Sequence, residues 1–161
     1  MDLKIFTTGG SIDKTYSTQA SDFVVGEPHI GCVLVDANVN LKYEVVSLLA
    51  KDSLEITDAD RALIVEKVRA EACPRIVITH GTDTMIQTAN ALASIPGKTI
   101  VLTGAMQPAA FKHTDADFNV GGAVIAAQTL PPGVYLVMNG RVFDPKQAKK
   151  NLEANQFEVR E

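Results

Sequence analysis

The chain has 161 residues, 46% of them hydrophobic and 21% charged, with a formal net charge of −4. At this length folding buries roughly 68–70% of the unfolded surface, enough for one core without disulfide or metal staples and too little for two full domains. The acidic balance speaks against a nucleic-acid platform, which carries a basic excess, and no apolar run reaches the ~20 residues that span a bilayer.

The elements follow in chain order. Residues 3–7, Leu-Lys-Ile-Phe-Thr, are predicted as a short strand. Residues 13–30 are polar and irregular, with Gly26 and Pro28, and read as a long mobile loop or a hairpin over one sheet edge. A strand is expected at 42–49. Thr57, with Asp60 three residues on, is a capping-box signature for a helix carrying Leu63, Ile64, Lys67 and Val68 and closed by Pro74. Strands at 75–79, 99–103 and 134–138 are rich in β-branched residues. Near-continuous apolar runs of this kind suit strands buried on both faces of a parallel sheet. Helices are expected over 84–94, stopping before Pro96-Gly97, and over 118–129, stopping before Pro131-Pro132-Gly133. Strands alternating with helices imply βαβ units, hence one doubly wound, three-layer α/β domain over 1–161 with a mainly parallel sheet.

Compartment and cofactor follow from the termini and the cysteines. The stretch 1–10 is too short and too polar for a secretory signal. Cys32 and Cys73 lie far apart without a CxxC spacing, and the three His are scattered. No metal cluster and no cofactor are implied, and two reduced packing cysteines fit a cytoplasmic protein.

In open α/β sheets ligands bind beyond the carboxyl ends of the strands, so the residues just after each strand are the informative ones. The first strand is followed by Thr8-Gly9-Gly10-Ser11, the second by Asp52-Ser53, and the third by His80-Gly81-Thr82-Asp83-Thr84. The fourth and fifth are followed by Gly104-Ala105-Met106-Gln107 and Asn139-Gly140-Arg141. Taken alone, a Thr-Gly-Gly is a turn, a Gly-Thr-Asp-Thr caps a helix through Thr82 or Asp83, His80 is a packed histidine and Lys149-Lys150 is a solvated pair. Together on one rim they describe acyl transfer. Thr8 and Thr82 are candidate nucleophiles, which need a base. Gly9, Gly10 and Gly81 allow close backbone approach and could offer amides to an oxyanion. Asp83 suits an α-ammonium, Ser53 suits a carboxylate, and Lys150 is a candidate base. The matching substrate is a small α-amino acid amide. Neither phosphate-loop spacing is present.

The same residues resemble the bacterial-type L-asparaginase family. Phe6-Thr-Thr-Gly-Gly-Ser-Ile12 is similar to its first signature, which places the acylating nucleophile at Thr8. His80-Gly-Thr-Asp-Thr84 is similar to the second, which brings Thr82 and Asp83 into the site. Val101-Leu-Thr-Gly-Ala-Met106 resembles the strand after it. Asp52-Ser53 matches the serine region for the substrate carboxylate, and Val137-Met-Asn139 followed by Lys150 resembles the segment with the catalytic lysine. The resemblance assigns Tyr16 as the flexible-loop tyrosine, in preference to Tyr43 inside a strand. It departs from the family at Gln107, where Arg is usual. It implies the family's N-terminal α/β domain without the C-terminal one, and so without the acidic residue that a neighbouring subunit's second domain offers the substrate ammonium.

The expectation is therefore an amidohydrolase that converts L-asparagine to L-aspartate and ammonia through a threonine acyl-enzyme. Glutamine is a candidate second substrate, since one methylene discriminates by only about 1–3 kcal/mol. A weak or inactive amino-acid-binding or regulatory module of the same fold is the alternative, and threonine hydrolysis of another amide or ester is a third. The expected partner is a small-molecule substrate, without nucleic acid or membrane. Self-association as a dimer or tetramer is expected to cover apolar surface.

Overall fold

The computed structural model describes all residues from Met1 to Glu161. In chain order it comprises β1 (Leu3–Gly9), a 3-10 turn (Ser11–Asp13), β2 (Lys14–Ser17), β3 (Asp22–Val25), α1 (Ile30–Asp36) and β4 (Tyr43–Lys51). A second 3-10 turn (Ser53–Glu55), α2 (Asp58–Ala70), β5 (Arg75–Thr79), α3 (Met85–Ala91), β6 (Thr99–Thr103) and α4 (Ala116–Thr129) follow. The chain closes with β7 (Gly133–Met138), β8 (Arg141–Phe143), β9 (Ala148–Asn151) and β10 (Gln156–Val159).

Six strands form the main sheet in the order β4-β1-β5-β6-β7-β8. All neighbours are parallel except β7 and β8. Alternate strand residues feed two cores. Phe6, Ile76, Ile78, Ile100 and Leu102 pack with Ile64, Val68, Met85 and Leu92 of the α2–α3 layer. Leu3, Ile5, Val77 and Val101 pack with Ile30, Leu34, Val120, Ala123 and Val124 of the α1–α4 layer. The fold is thus three-layered α/β. Counting only the five parallel strands, the spatial order is 2-1-3-4-5, which reverses direction between β1 and β5. In open α/β sheets such a reversal, beyond the carboxyl ends of both strands, is where ligands bind.

The capping box at Thr57 forms as its spacing requires. Thr57 Oγ1 accepts the Asp60 amide at 3.2 Å and Asp60 Oδ2 accepts the Thr57 amide at 2.9 Å, a pairing that stabilises a helix start by about 1 kcal/mol. Other elements differ from the sequence expectation. β4 runs two residues past the expected end and is an edge strand with no fully buried residue. Of the two expectations for residues 13–30 the hairpin is the one that forms, as β2–β3, and it is followed by an unexpected short helix, α1. That helix has only two buried positions, Ile30 and Leu34, and no side-chain cap, too little periodicity to stand out. Asn139-Gly140 is not a ligand loop. Both residues have positive φ, 53° and 73°, and form the two-residue turn between β7 and β8, the turn that Asn-Gly favours in hairpins. Cys73 is buried, but Cys32 is exposed on α1, so only one cysteine serves packing. Along α4, Ile125 faces solvent while Val120 and Val124 are buried.

No helix is long and apolar enough to cross a membrane.

Candidate active site

The β1–β4 register slips between Thr7, opposite Ser47, and Gly9, opposite Lys51. One residue, Thr8, intervenes on β1 and three, 48–50, on β4, so β4 bulges opposite Thr8. Thr8 is fully buried, and its hydroxyl donates to the Thr79 carbonyl at 2.8 Å. Three loops then interlock. A Cβ on Gly10 would stand 2.4 Å from Gly81 Cα and N, and one on Gly81 would stand 2.5 Å from Ser53 Cβ. Backbone meets backbone here, and only glycine permits it. The contact draws the ends of β1, β4 and β5 into one crevice, with Gly9 (φ +100°) against the Lys51 carbonyl. The Gly10 amide is committed to that carbonyl at 2.9 Å, so it cannot serve an oxyanion. The Gly81 and Thr82 amides donate to no backbone carbonyl.

β9 delivers Lys150 from the far end of the chain. Its Nζ donates to Thr82 Oγ1 at 2.8 Å and to Asp83 Oδ1 at 2.7 Å. The Lys150 side chain is mostly buried, whereas that of Asp83 is 40% exposed. Lys149 points the other way, 3.7 Å from Glu158 on β10. Neither Thr82 nor Asp83 caps the following helix. Thr84 occupies the cap position without a side-chain cap bond, and its hydroxyl goes to the Ser53 carbonyl at 2.7 Å.

Around this centre lie groups that the sequence reading left without a role. Lys14, from β2, donates to Asp52 Oδ2 at 3.0 Å, while Asp52 Oδ1 accepts the Leu54 amide. Burial raises the Asp52 pKa, but the Leu54 amide, Lys14 and Lys150 together outweigh it and hold the carboxyl below its usual range. His80 is wholly buried in a chain of hydrogen bonds. Arg61 Nε donates to Thr88 Oγ1, Thr88 bonds His80 Nε2, and His80 Nδ1 meets the Gly81 carbonyl. Burial is the main force pushing His80 down to about 4, helped by Arg61 and opposed by the Gly81 carbonyl. The imidazole is therefore neutral, and it pins Gly81 rather than the substrate. Pairings like Lys14 with Asp52 are 38 residues apart in the chain and carry no local signal.

Asp13, at the base of the hairpin, accepts the His29 amide at 2.9 Å. Burial drives its pKa up to about 6 against the pull of His29. The two buried groups act oppositely on stability. His80 is lowered from 6.5, so its contribution is present above pH 6.5 and lost as pH falls through about 4. Asp13 is raised from 3.8, so its contribution is full below pH 3.8 and lost as pH rises through about 6. Asp13→Asn is expected to stabilise the fold by ~1–3 kcal/mol at pH 8 and by far less at pH 4. Urea denaturation at the two pH values measures this, and equal gains at both would refute it.

The structure brings Thr8, Gly9, Ser53, Gly81, Thr82, Asp83 and Lys150 to one crevice. It does not bring Tyr16 there. Tyr16 is 57% exposed on the hairpin and stacks edge-on against Phe23 at 5.5 Å, which in turn stacks on Phe111.

Residues 2–158 match the family described as "Asparaginase, N-terminal". The chain belongs to the asparaginase family. It is 31% identical to L-asparaginase 2 of Escherichia coli over 92% of this chain and 46% of that one. It is also 31% identical to a glutamyl-tRNA(Gln) amidotransferase component of Methanococcus vannielii, over 89% of this chain and 35% of that one. The L-asparaginase of Thermococcus kodakarensis superposes with a TM-score of 0.83 at 29% identity, and L-asparaginase I of Vibrio cholerae with 0.85 at 26%. The chain spans about half the length of these two structures, 51% in each case.

Proposed function

We propose that this asparaginase-family chain hydrolyses L-asparagine to L-aspartate and ammonia, with side activity on glutamine. One observation carries the reading. A single lysine ammonium, on Lys150, is bonded at once to the hydroxyl of Thr82 and the carboxylate of Asp83, beside the buried Thr8 at the sheet's switch point. Two hydroxyls with an acid–base partner serve acyl transfer, whereas binding alone needs neither.

In this scheme Thr8 Oγ attacks the side-chain amide carbon, and the free amides of Gly81 and Thr82 stabilise the oxyanion. Collapse expels ammonia, which takes the proton released from Thr8, and leaves an ester on Thr8. Water then attacks the ester and aspartate departs. The Thr82–Lys150–Asp83 triad moves the proton in one of these two steps. Asp83 uses only Oδ1 for Lys150, which leaves Oδ2 to face the α-ammonium, and Ser53 faces the α-carboxylate. Tyr16 joins only if the hairpin turns it inward. Ammonia release from asparagine by the purified protein tests the reading, and no release at millimolar substrate would refute it.

A second reading, an amino-acid-binding module without turnover, has one observation in its favour. The Thr8 proton is committed to the Thr79 carbonyl, not to a base. Asparagine binding without ammonia release would select it.

Asp83→Asn tests the ammonium site. Asparagine keeps the acceptor for Lys150 and loses the charge. The expected result is a KM raised ~10-fold or more for free asparagine, the scale of a lost charged hydrogen bond, with little change for N-acylated asparagine. Equal damage to both substrates would make Asp83 purely a partner of Lys150.

Self-association belongs to the same proposal. Phe118, Ile125 and Val142 stand exposed around one groove beside α4, and a two-fold dimer is the commonest way to cover such a patch. Sedimentation at micromolar protein should show an oligomer, and a monomer would refute it.

A further inference from the structure

We propose that Lys14 sets specificity, its ammonium holding the free α-carboxylate of the substrate together with the Ser53 hydroxyl. This rests on the amino-acid-amide reading of the site and adds a residue and a selectivity to it.

Lys14 is anchored on β2 and its head group lies 3.0 Å from Asp52 Oδ2, and Asp52 directly precedes Ser53. It therefore stands between the loop that carries Thr8 and the turn that carries Ser53. Its side chain is only 27% exposed, so little water screens its charge. An ammonium has three donors, and a single acceptor, Asp52, engages it in the chain. Asp52 in turn spends its other oxygen on the Leu54 amide. Donors on Lys14 remain for a ligand.

Charge placement points the same way. Two ion pairs stand here: Lys14 with Asp52, just after β4, and Lys150 with Asp83, just after β5. An amino acid zwitterion matches this dipole, ammonium towards Asp83 and carboxylate towards Lys14. Ser53 alone could not enforce the match. A neutral hydroxyl bonds an ester or amide oxygen as well as a carboxylate, while a cation favours the carboxylate, because charge-assisted bonds are about twice as strong.

The competing account makes Lys14 only a strut that fastens the hairpin to Asp52. The two accounts separate in a binding experiment on the Thr8→Val protein, which holds substrate without turnover. Titration calorimetry with L-asparagine and with its α-N-methylamide gives the preference for a free carboxylate. The expected preference is at least ~10-fold, falling below ~3-fold when Lys14→Met is added. Lys14→Arg should retain it. Asp52→Asn breaks the same ion pair but keeps the cation, so the preference should persist or grow. An unchanged preference in Lys14→Met would overturn the proposal. So would equal weakening of both ligands, loss of preference in Asp52→Asn as well, or binding of neither ligand. Ammonia release by the wild-type protein is a separate measurement: its absence removes the hydrolase reading, while the carboxylate preference still decides the role of Lys14.

Discussion

Thr8→Val should lower ammonia release from L-asparagine by at least ~10²-fold while the protein stays folded. The substitution keeps the β-branched shape and removes one hydroxyl. That hydroxyl is buried near the end of β1, opposite the bulge of β4. Its only partner in the chain is the Thr79 carbonyl, so the loss in stability is that of one hydrogen bond, about 1 kcal/mol, or a few degrees in Tm. Rate and stability should thus separate. Steady-state ammonia assays alongside thermal melts measure both. A variant that keeps more than a tenth of the wild-type rate, a barrier change under ~1.4 kcal/mol, would move the nucleophile elsewhere, with Thr82 next in line.

Lys150→Met should reduce kcat by ~10²-fold or more, the low end for loss of an acid–base group. Methionine keeps most of the stem, which packs beneath the crevice, and removes the ammonium that joins Thr82 to Asp83. Lys149→Met is the internal control. In β9 the two lysines face opposite sides, Lys149 opposite Glu158 and Lys150 opposite Phe157. Lys149 pairs only with a half-exposed glutamate, and a surface pair of this kind is worth at most about 1 kcal/mol. Its loss should leave kcat within about twofold, since a strand's alternation carries its side chain away from the crevice. If Lys149 proved the essential one, the pairing of β9 with β10 would have to shift by one residue, which turns every side chain of the strand over.

Much of the fold is legible in the sequence, and for definite reasons. The parallel strands announce themselves because strands buried on both faces are continuously apolar, as at 75–79 and 99–103. The α2 start is legible because a capping box is a contact between residues three apart. The residues after each strand could be assigned to one rim because parallel βαβ units place all strand ends on the same side. What stayed hidden lacked a local signature. α1 is a short helix with two buried residues, and the small hairpin β9–β10 has a single large buried side chain, Phe157. β4 is legible as a strand, yet its place at the sheet edge depends on which neighbour it meets.

The division at the site follows the same line. The sequence by itself determined the fold class, the family, and Thr8, Ser53, Thr82, Asp83 and Lys150 as the candidate residues, since the first four sit in short motifs after strands and Lys150 follows from the family resemblance. The tertiary structure alone decided how they meet. It set the Lys150 bonds to Thr82 and Asp83 across 68 and 67 residues, took the Gly10 amide out of use, and kept Tyr16 on the outer face of its hairpin. It also brought Lys14 to Asp52. The physical reason is range. Propensities, caps and turns act over three or four residues, whereas hydrogen bonds and ion pairs between distant segments exist only once the backbone has packed. At this site that packing turns on glycines, Gly10 and Gly81, whose missing side chains let three loops touch.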